Sequence, residues 1–386
     1  RRRPSRGRMP ESGSEEEGPS MAEPMTSKER WLAAIAMKPV DRLPFWPKLD
    51  GAYPKAQAAP FRDMPLDAIH DWIGSNRHVG INGCVREIRR RTAVETVRTG
   101  DTRRTVYRTP HGETELVCRF DGPSNAWHPV SFPVRTREHI GLMTEIFEDV
   151  TGELDRDGLA RAREQAREIG QGAVTTNSIG ESPLMHWVEW LAGVEMANYL
   201  LADYSEEVEQ LFEAMHAVLK RTTAILCEHS PADVLYLVEN TSTTLISPGQ
   251  YQRYCARHVG EYARLTRAAG RPLILHMCGH LKALLPDLAR IPAQAFEAFT
   301  SPTLGNTTLL DGRTACPDKC LIGGTNAMLW TRPAADIVAQ IERDLDALPH
   351  HRGIVVTSAG VMPPRCKPET VREVCAWVKR YPAECL

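Results

Sequence analysis

The chain has 386 residues, 42% of them hydrophobic, and its 47 Lys and Arg nearly balance 49 Asp and Glu for a formal net charge of −2. Such a chain buries a sizeable core and is no polyanion binder by bulk charge, so no nucleic-acid partner is expected. No run of about 18 apolar residues is present to cross a membrane, and no secretory leader is read, so a cytoplasmic protein is expected and its ten cysteines read as reduced thiols.

Residues 1–24 switch from a basic to an acidic block and read as a disordered tail, with the folded unit expected over 25–386. Thr26 and Glu29 have capping-box spacing, and Trp31, Leu32, Ile35 and Ala36 supply the apolar face of a first helix. A short extended run, Leu43 to Trp46, follows between prolines. Thr, Val, Tyr and Arg alternate over about Ala93 to Val134, around Thr109-Pro110-His111-Gly112, which predicts a small antiparallel hairpin insertion in the N-terminal part.

From Ala173 the rhythm is regular. Short apolar runs recur at Ala173–Thr176, Val234–Val238, Leu273–Leu275, Phe296–Phe299, Cys320–Ile322 and Ile354–Val356. Helix-length amphipathic stretches separate them: Leu184–Leu201, Ser205–Glu228, Pro248–Ala269, Leu281–Arg290, Pro333–Leu348 and Pro368–Lys379. Strands apolar on both faces, alternating with helices, define a parallel sheet covered by helices. With strands near Phe45 and at Val79–Cys84 the count reaches eight. The expected fold is therefore an α/β (β/α)8 barrel, and its active site would lie at the C-terminal ends of the strands.

The residues just beyond each apolar run are then the candidates: Lys48, Asp50, Asn82, Cys84, Asn177, Glu181, Glu239, Asn240, His276, Cys278, Thr300, Thr325, Asn326 and Ser358. The sharpest local signal is His276-Met277-Cys278-Gly279. In an extended segment i and i+2 point the same way, so an imidazole and a thiol can face one ion, and zinc suits that pair. A catalytic zinc takes a third protein ligand, for which Cys366 after the last strand, Cys316, Cys320 and Glu239 are candidates. Glu239 can instead hold a substrate or move a proton. Asn177 to Pro183 could cradle an anion, and Cys227, Cys255, Cys375 and Cys385 read as packing or surface thiols.

With that barrel and the His-x-Cys-Gly stretch in place, the sequence resembles the uroporphyrinogen decarboxylase superfamily, and within it the cobalamin-dependent methyltransferase branch. The carriers are TSKERWLAAIAMKPVDRLPFWP, TPHGETE, HPVSFPVRTREH, LISPGQYQRYCARHV, LILHMCGH, IGGTN and TSAGVMPPRCKPETVREV. Decarboxylases of the superfamily present an Arg-rich loop after the first strand. Here Lys48 is the only base in that stretch, and Asp50 would repel a polycarboxylate.

The resemblance implies a zinc-assisted methyl transfer between a small methylated substrate and a corrinoid on a partner protein. Glu239 and His276 would be catalytic; Lys48, Asp50, Asn177, Glu239 and Asn326 would bind substrate; and zinc would sit on His276, Cys278 and Cys366. The family's Ser-x-Gly-Cys ligand appears as Ser358-Ala359-Gly360-Val361, so either Cys366 replaces it, or Glu239 completes the set, or no metal binds. The alternative function is metal-free decarboxylation of a small or tetrapyrrole carboxylate. The hairpin insertion would suit a homodimer contact or the docking of the corrinoid partner.

Overall fold

The computed structural model describes residues 24–383; the expected tail and Cys385 otherwise lie outside the described residues. Eight parallel strands follow one another around a nearly closed barrel. They are β1 (Phe45–Trp46), β2 (His78–Gly80), β3 (Val174–Gly180), β4 (Val234–Val238), β5 (Leu273–His276), β6 (Ala295–Phe299), β7 (Cys320–Gly323) and β8 (Ile354–Thr357). β8 pairs back onto β1. β1 and β2 share no ladder, and Asn76 closes this gap. Its backbone N–H donates to Phe45 O at 2.8 Å and its side-chain carbonyl accepts from Phe45 N at 3.1 Å.

Alternation along each strand sorts side chains into two cores. Leu273, Leu275, Phe296, Leu321, Ile354 and Val356 face outward to the surrounding helices. Val174, Val234, Ile274, Ala295, Cys320, Ile322 and Val355 face inward, where they meet Trp31, Ala34 and Ile35 of the opening helix (Ser27–Ile35). That helix begins at the anticipated capping box, Glu29 N donating to Thr26 Oγ1 and Thr26 N to a Glu29 carboxylate oxygen. Its apolar side fills one end of the barrel. Trp31 is fully buried, its ring 5.6 Å from that of Trp46 and 5.7 Å from that of His78.

The insertion is larger than a hairpin. Strands at Ala93–Thr99, Thr102–Thr109, Gly112–Asp121 and Ala126–Ser131 form a four-stranded antiparallel sheet, and Val85–Ile88 pairs with Thr151–Leu154 beside it. Short polar turns at Gly100-Asp101 and Pro110-His111 reverse the chain without interrupting the alternation. The stretch Leu184–Leu201 is not one helix: it breaks at Gly193, whose φ of +75° and 2.7 Å Cβ approach to Phe132 exclude a side chain. Pro248–Ala269 is interrupted at Cys255, whose thiol turns inward to Glu239. Among the described residues no helix is long and apolar enough to cross a membrane.

Because Trp31 is the largest piece of the inner core that comes from outside the strands, Trp31→Ala should lower the unfolding free energy by about 3–5 kcal/mol. Denaturant titration followed by circular dichroism reads that loss.

Candidate active site at the barrel mouth

Three inward positions on neighbouring strands carry polar side chains: Tyr236 on β4, His276 on β5 and Glu297 on β6. Glu297 follows Ala295 by two residues and so shares its inward face, and it lies in register with His276. The carboxylate is 1% exposed. A charge there is very costly unless matched, and three donor–acceptor contacts surround it. Lys48 Nζ donates to Oε1 at 3.0 Å, Tyr236 OH donates to Oε2 at 2.5 Å, and His276 Nδ1 makes a short contact with Oε2. Lys48 also lies over the Trp46 ring, 5.4 Å from its centroid.

The electrostatics follow from this arrangement. Burial is the largest influence on Glu297 and works to raise its pKa. The charges of Lys48 and His276, with the His276 and Tyr236 hydrogen bonds, overcome it and hold the carboxyl ionised well below the usual range. For His276 burial again opposes the charged form, but Glu297 and a hydrogen bond with Cys278 win and raise the imidazolium pKa. Beneath it His78, its ring tilted against those of Trp46 at 4.6 Å and Tyr236 at 5.5 Å, is driven down to about 4 by burial and stays neutral. One backbone feature sits beside the pair. Ala298 has φ +62° and coincides with a register shift between β6 and β7, a bulge directly after Glu297.

Cys278 stands next to His276, and its Sγ contacts Asn240 Oδ1 at 3.4 Å. The following Gly279 is required. Its φ is +106°, and a Cβ there would lie 2.6 Å from Ser242 Oγ, which accepts from His280 N at 3.1 Å. Asp50 is exposed nearby, close enough for its charge to act on Tyr236.

The other expected residues do not gather here. Asn177 spends its amide on the Ile81 and Asn82 carbonyls, at 2.8 and 2.9 Å, and its Oδ1 accepts from Ser230. It ties β2, β3 and β4 together and has no group left for substrate. Asn326 donates to Ser301 Oγ and Pro302 O and accepts from Leu329 N, bracing the loops after β6 and β7. Glu239 is fully buried and accepts from Ser182 N, Ser182 Oγ, Thr241 Oγ1 and Cys255 Sγ. Thr300 and Thr325 donate to backbone carbonyls, and Ser358 Oγ accepts from Lys48 N.

Cys366 is 2% exposed, its Sγ 3.8 Å from Lys367 O, with Tyr53 beside it, and burial pushes the thiol up to about 12. Where the resemblance anticipated a cysteine stands Val361, which is 46% exposed. Among the described residues no three His, Cys, Asp or Glu side chains are grouped to hold a metal ion. His276 and Cys278 are together, but neither Cys366 nor Glu239 joins them, so these donors do not make up the three-ligand zinc site that the resemblance implied.

Glu297 itself escapes the list of strand-end residues because it stands inside an apolar run, Ala295-Phe296-Glu297-Ala298-Phe299. The available signal was that a lone carboxylate in a strand buried on both faces must be paired.

Comparison with known proteins agrees with this architecture. The sequence profile of the uroporphyrinogen decarboxylase (URO-D) family matches residues 164–381, more than half of the chain, and the chain belongs to that family. Among solved structures, a methyltransferase from Methanosarcina mazei aligns with TM-score 0.58 over 93% of this chain and 100% of that one, at 14% identity. A putative vitamin-B12 independent methionine synthase from Listeria monocytogenes aligns at TM-score 0.39 and 14% identity, covering 57% of this chain and 68% of that chain. Comparison with curated proteins finds no match.

The buried pair gives stability a defined pH profile. The His276 contribution is fully present below its unfolded pKa of about 6.5 and is lost as pH rises through the raised folded value. The Glu297 contribution is fully present above about 4.3 and is lost as pH falls toward its depressed folded value. Stability should therefore plateau between those limits and fall on the alkaline side. Glu297→Gln should cost about 3–5 kcal/mol on that plateau and flatten the alkaline limb, as read by denaturant titrations at several pH values.

Proposed function

We propose that this protein is a methyltransferase, and that its barrel mouth moves a methyl group from the heteroatom of a small methylated substrate to a corrinoid acceptor carried by a partner protein. The observation that supports this reading is the His276 ring, held by the buried Glu297 carboxylate and facing Cys278 at the C-terminal end of β5. Family membership and the methyltransferase of like fold support it further.

When the C–X bond of a methylated oxygen, nitrogen or sulfur breaks, the methyl carbon takes the acceptor's electron pair and X keeps the bonding pair. The step is slow unless X is protonated as it leaves. His276 supplies that proton and becomes neutral, so R–X–CH3 yields R–XH, and the ring regains its proton from water. Glu297 fixes the ring orientation through Nδ1 and favours its charged form, while Lys48 balances the carboxylate once the ring is neutral. The corrinoid supplies the nucleophile and belongs to the partner. No residue of this chain is assigned to hold it, and no step is routed through zinc.

A second reading has its own observation. Lys48 and His276 set two cationic groups against the single Glu297 carboxylate, a balance that suits a carboxylated substrate and proton delivery to carbon after loss of carbon dioxide.

The test mixes the protein with a corrinoid protein and 13C-methyl ethers, amines and thioethers, and follows the label by mass spectrometry. Label should reach the corrinoid, and His276→Gln should slow transfer by about 100-fold or more. Absence of transfer from all three substrate types, with carbon dioxide released from small carboxylic acids, overturns the methyltransferase reading in favour of decarboxylation.

A further inference from the structure

Outside the barrel wall, between the end of β3 and the long helix Ser205–His229, lies a cavity of about 310 Å3. Phe147, Ile179, Met215 and Leu219 form an apolar body, and Glu181 and His186 stand at a polar end. No Lys or Arg lines it. Glu87, also in the lining, is already paired with Arg89 at 2.6 Å.

Glu181 is the unusual member. Its side chain is only 9% exposed, and its Oε2 lies 3.2 Å from His186 Nδ1. It hydrogen-bonds with a second carboxyl, Glu189, whose Oε2 accepts from Asn240 Nδ2 at 3.0 Å. The oxygens Glu181 Oε1 and Glu189 Oε1 are buried, and the Trp190 side chain is a further hydrogen-bond partner of Glu181. Two carboxylates in contact cannot both ionise at low cost, so one proton is held between them. Burial and the nearby Glu239 push Glu181 up to about 8, and burial and Glu181 push Glu189 up to about 7. His186, lowered to about 4 by burial, is neutral and brings no compensating charge.

Two buried carboxyls that hold one proton, with no Lys or Arg facing them in the cavity, favour a ligand that brings donors and positive charge. An anion is repelled by the dyad, and a neutral alcohol brings a single donor. An ammonium brings several and replaces the shared proton.

We propose that this cavity binds a small organic amine in its ammonium form, the charged head against Glu181 and an apolar body along Phe147, Ile179, Met215 and Leu219. Binding displaces the proton held by Glu181 and Glu189 to solvent, so association is accompanied by proton release. Asn240 links Glu189 to Cys278 at the barrel mouth, but the cavity is lined by none of Lys48, Tyr236, His276 and Glu297, so the proposal stands or falls without the methyl-transfer reading.

Calorimetric titration tests it with benzylamine, benzyl alcohol and benzoate, each in two buffers of different ionisation enthalpy. Benzylamine should bind most tightly and show proton release; benzoate should not bind. Glu181→Gln should weaken benzylamine by about tenfold or more and remove the proton release. Leu219→Trp, which fills the apolar body, should abolish binding, with circular dichroism confirming the fold. Should Glu181→Gln fail to fold, loss of proton release in Glu189→Gln serves the same purpose. Equal binding of amine and alcohol, no binding of any probe, or binding without proton release overturns the proposal.

Discussion

A carboxylate sealed inside a barrel is tolerated only when its charge is met on the spot, and Glu297 meets that condition through residues from three separate parts of the chain. Lys48 comes from the loop after β1, Tyr236 from β4 and His276 from β5. Removing any one leaves charge or donor unpaired in a low-dielectric interior, so the four side chains hold one another in place. The loop carrying Lys48 is further anchored by Ser358 after β8. The network therefore joins the loops after the first and last strands to the inner faces of β4, β5 and β6.

Much of this architecture was legible because strands buried on both faces have no choice of residue type. The apolar runs at Val234, Leu273, Cys320 and Ile354 stand out for that reason, and the i, i+2 spacing of His276 and Cys278 correctly places both at the mouth. Polar residues at strand ends were less informative. Asn177, Asn326 and Glu239 look like site residues in sequence, but a strand end also leaves backbone groups that need partners, and these side chains satisfy them. Glu297 was hidden for the opposite reason: its neighbours are apolar, and only the partners brought by the fold explain it. Cys366 shows the limit of reasoning from loop length, since the loop places its thiol against Tyr53 and not at His276.

This member of the URO-D family has the barrel, and it carries the His-x-Cys pair together with Val361 where the resemblance anticipated a third ligand. The imidazole and thiol are thereby left in a different setting, a hydrogen-bonded unit backed by a carboxylate. The same imidazole orientation by a carboxylate also serves metal centres elsewhere, which is why the local pattern reads so readily as one. Chemistry at such a unit depends on proton position and local charge, both set by the network beneath it.

The opening helix has a consequence for the charged network. By lodging Trp31 against Trp46 and His78 it corks one end of the barrel, opposite the strand ends where His276 and Cys278 stand. Trp31 meets His78, His78 meets Tyr236, and Tyr236 donates to Glu297, so the cork at one end is in continuous contact with the charged network at the other.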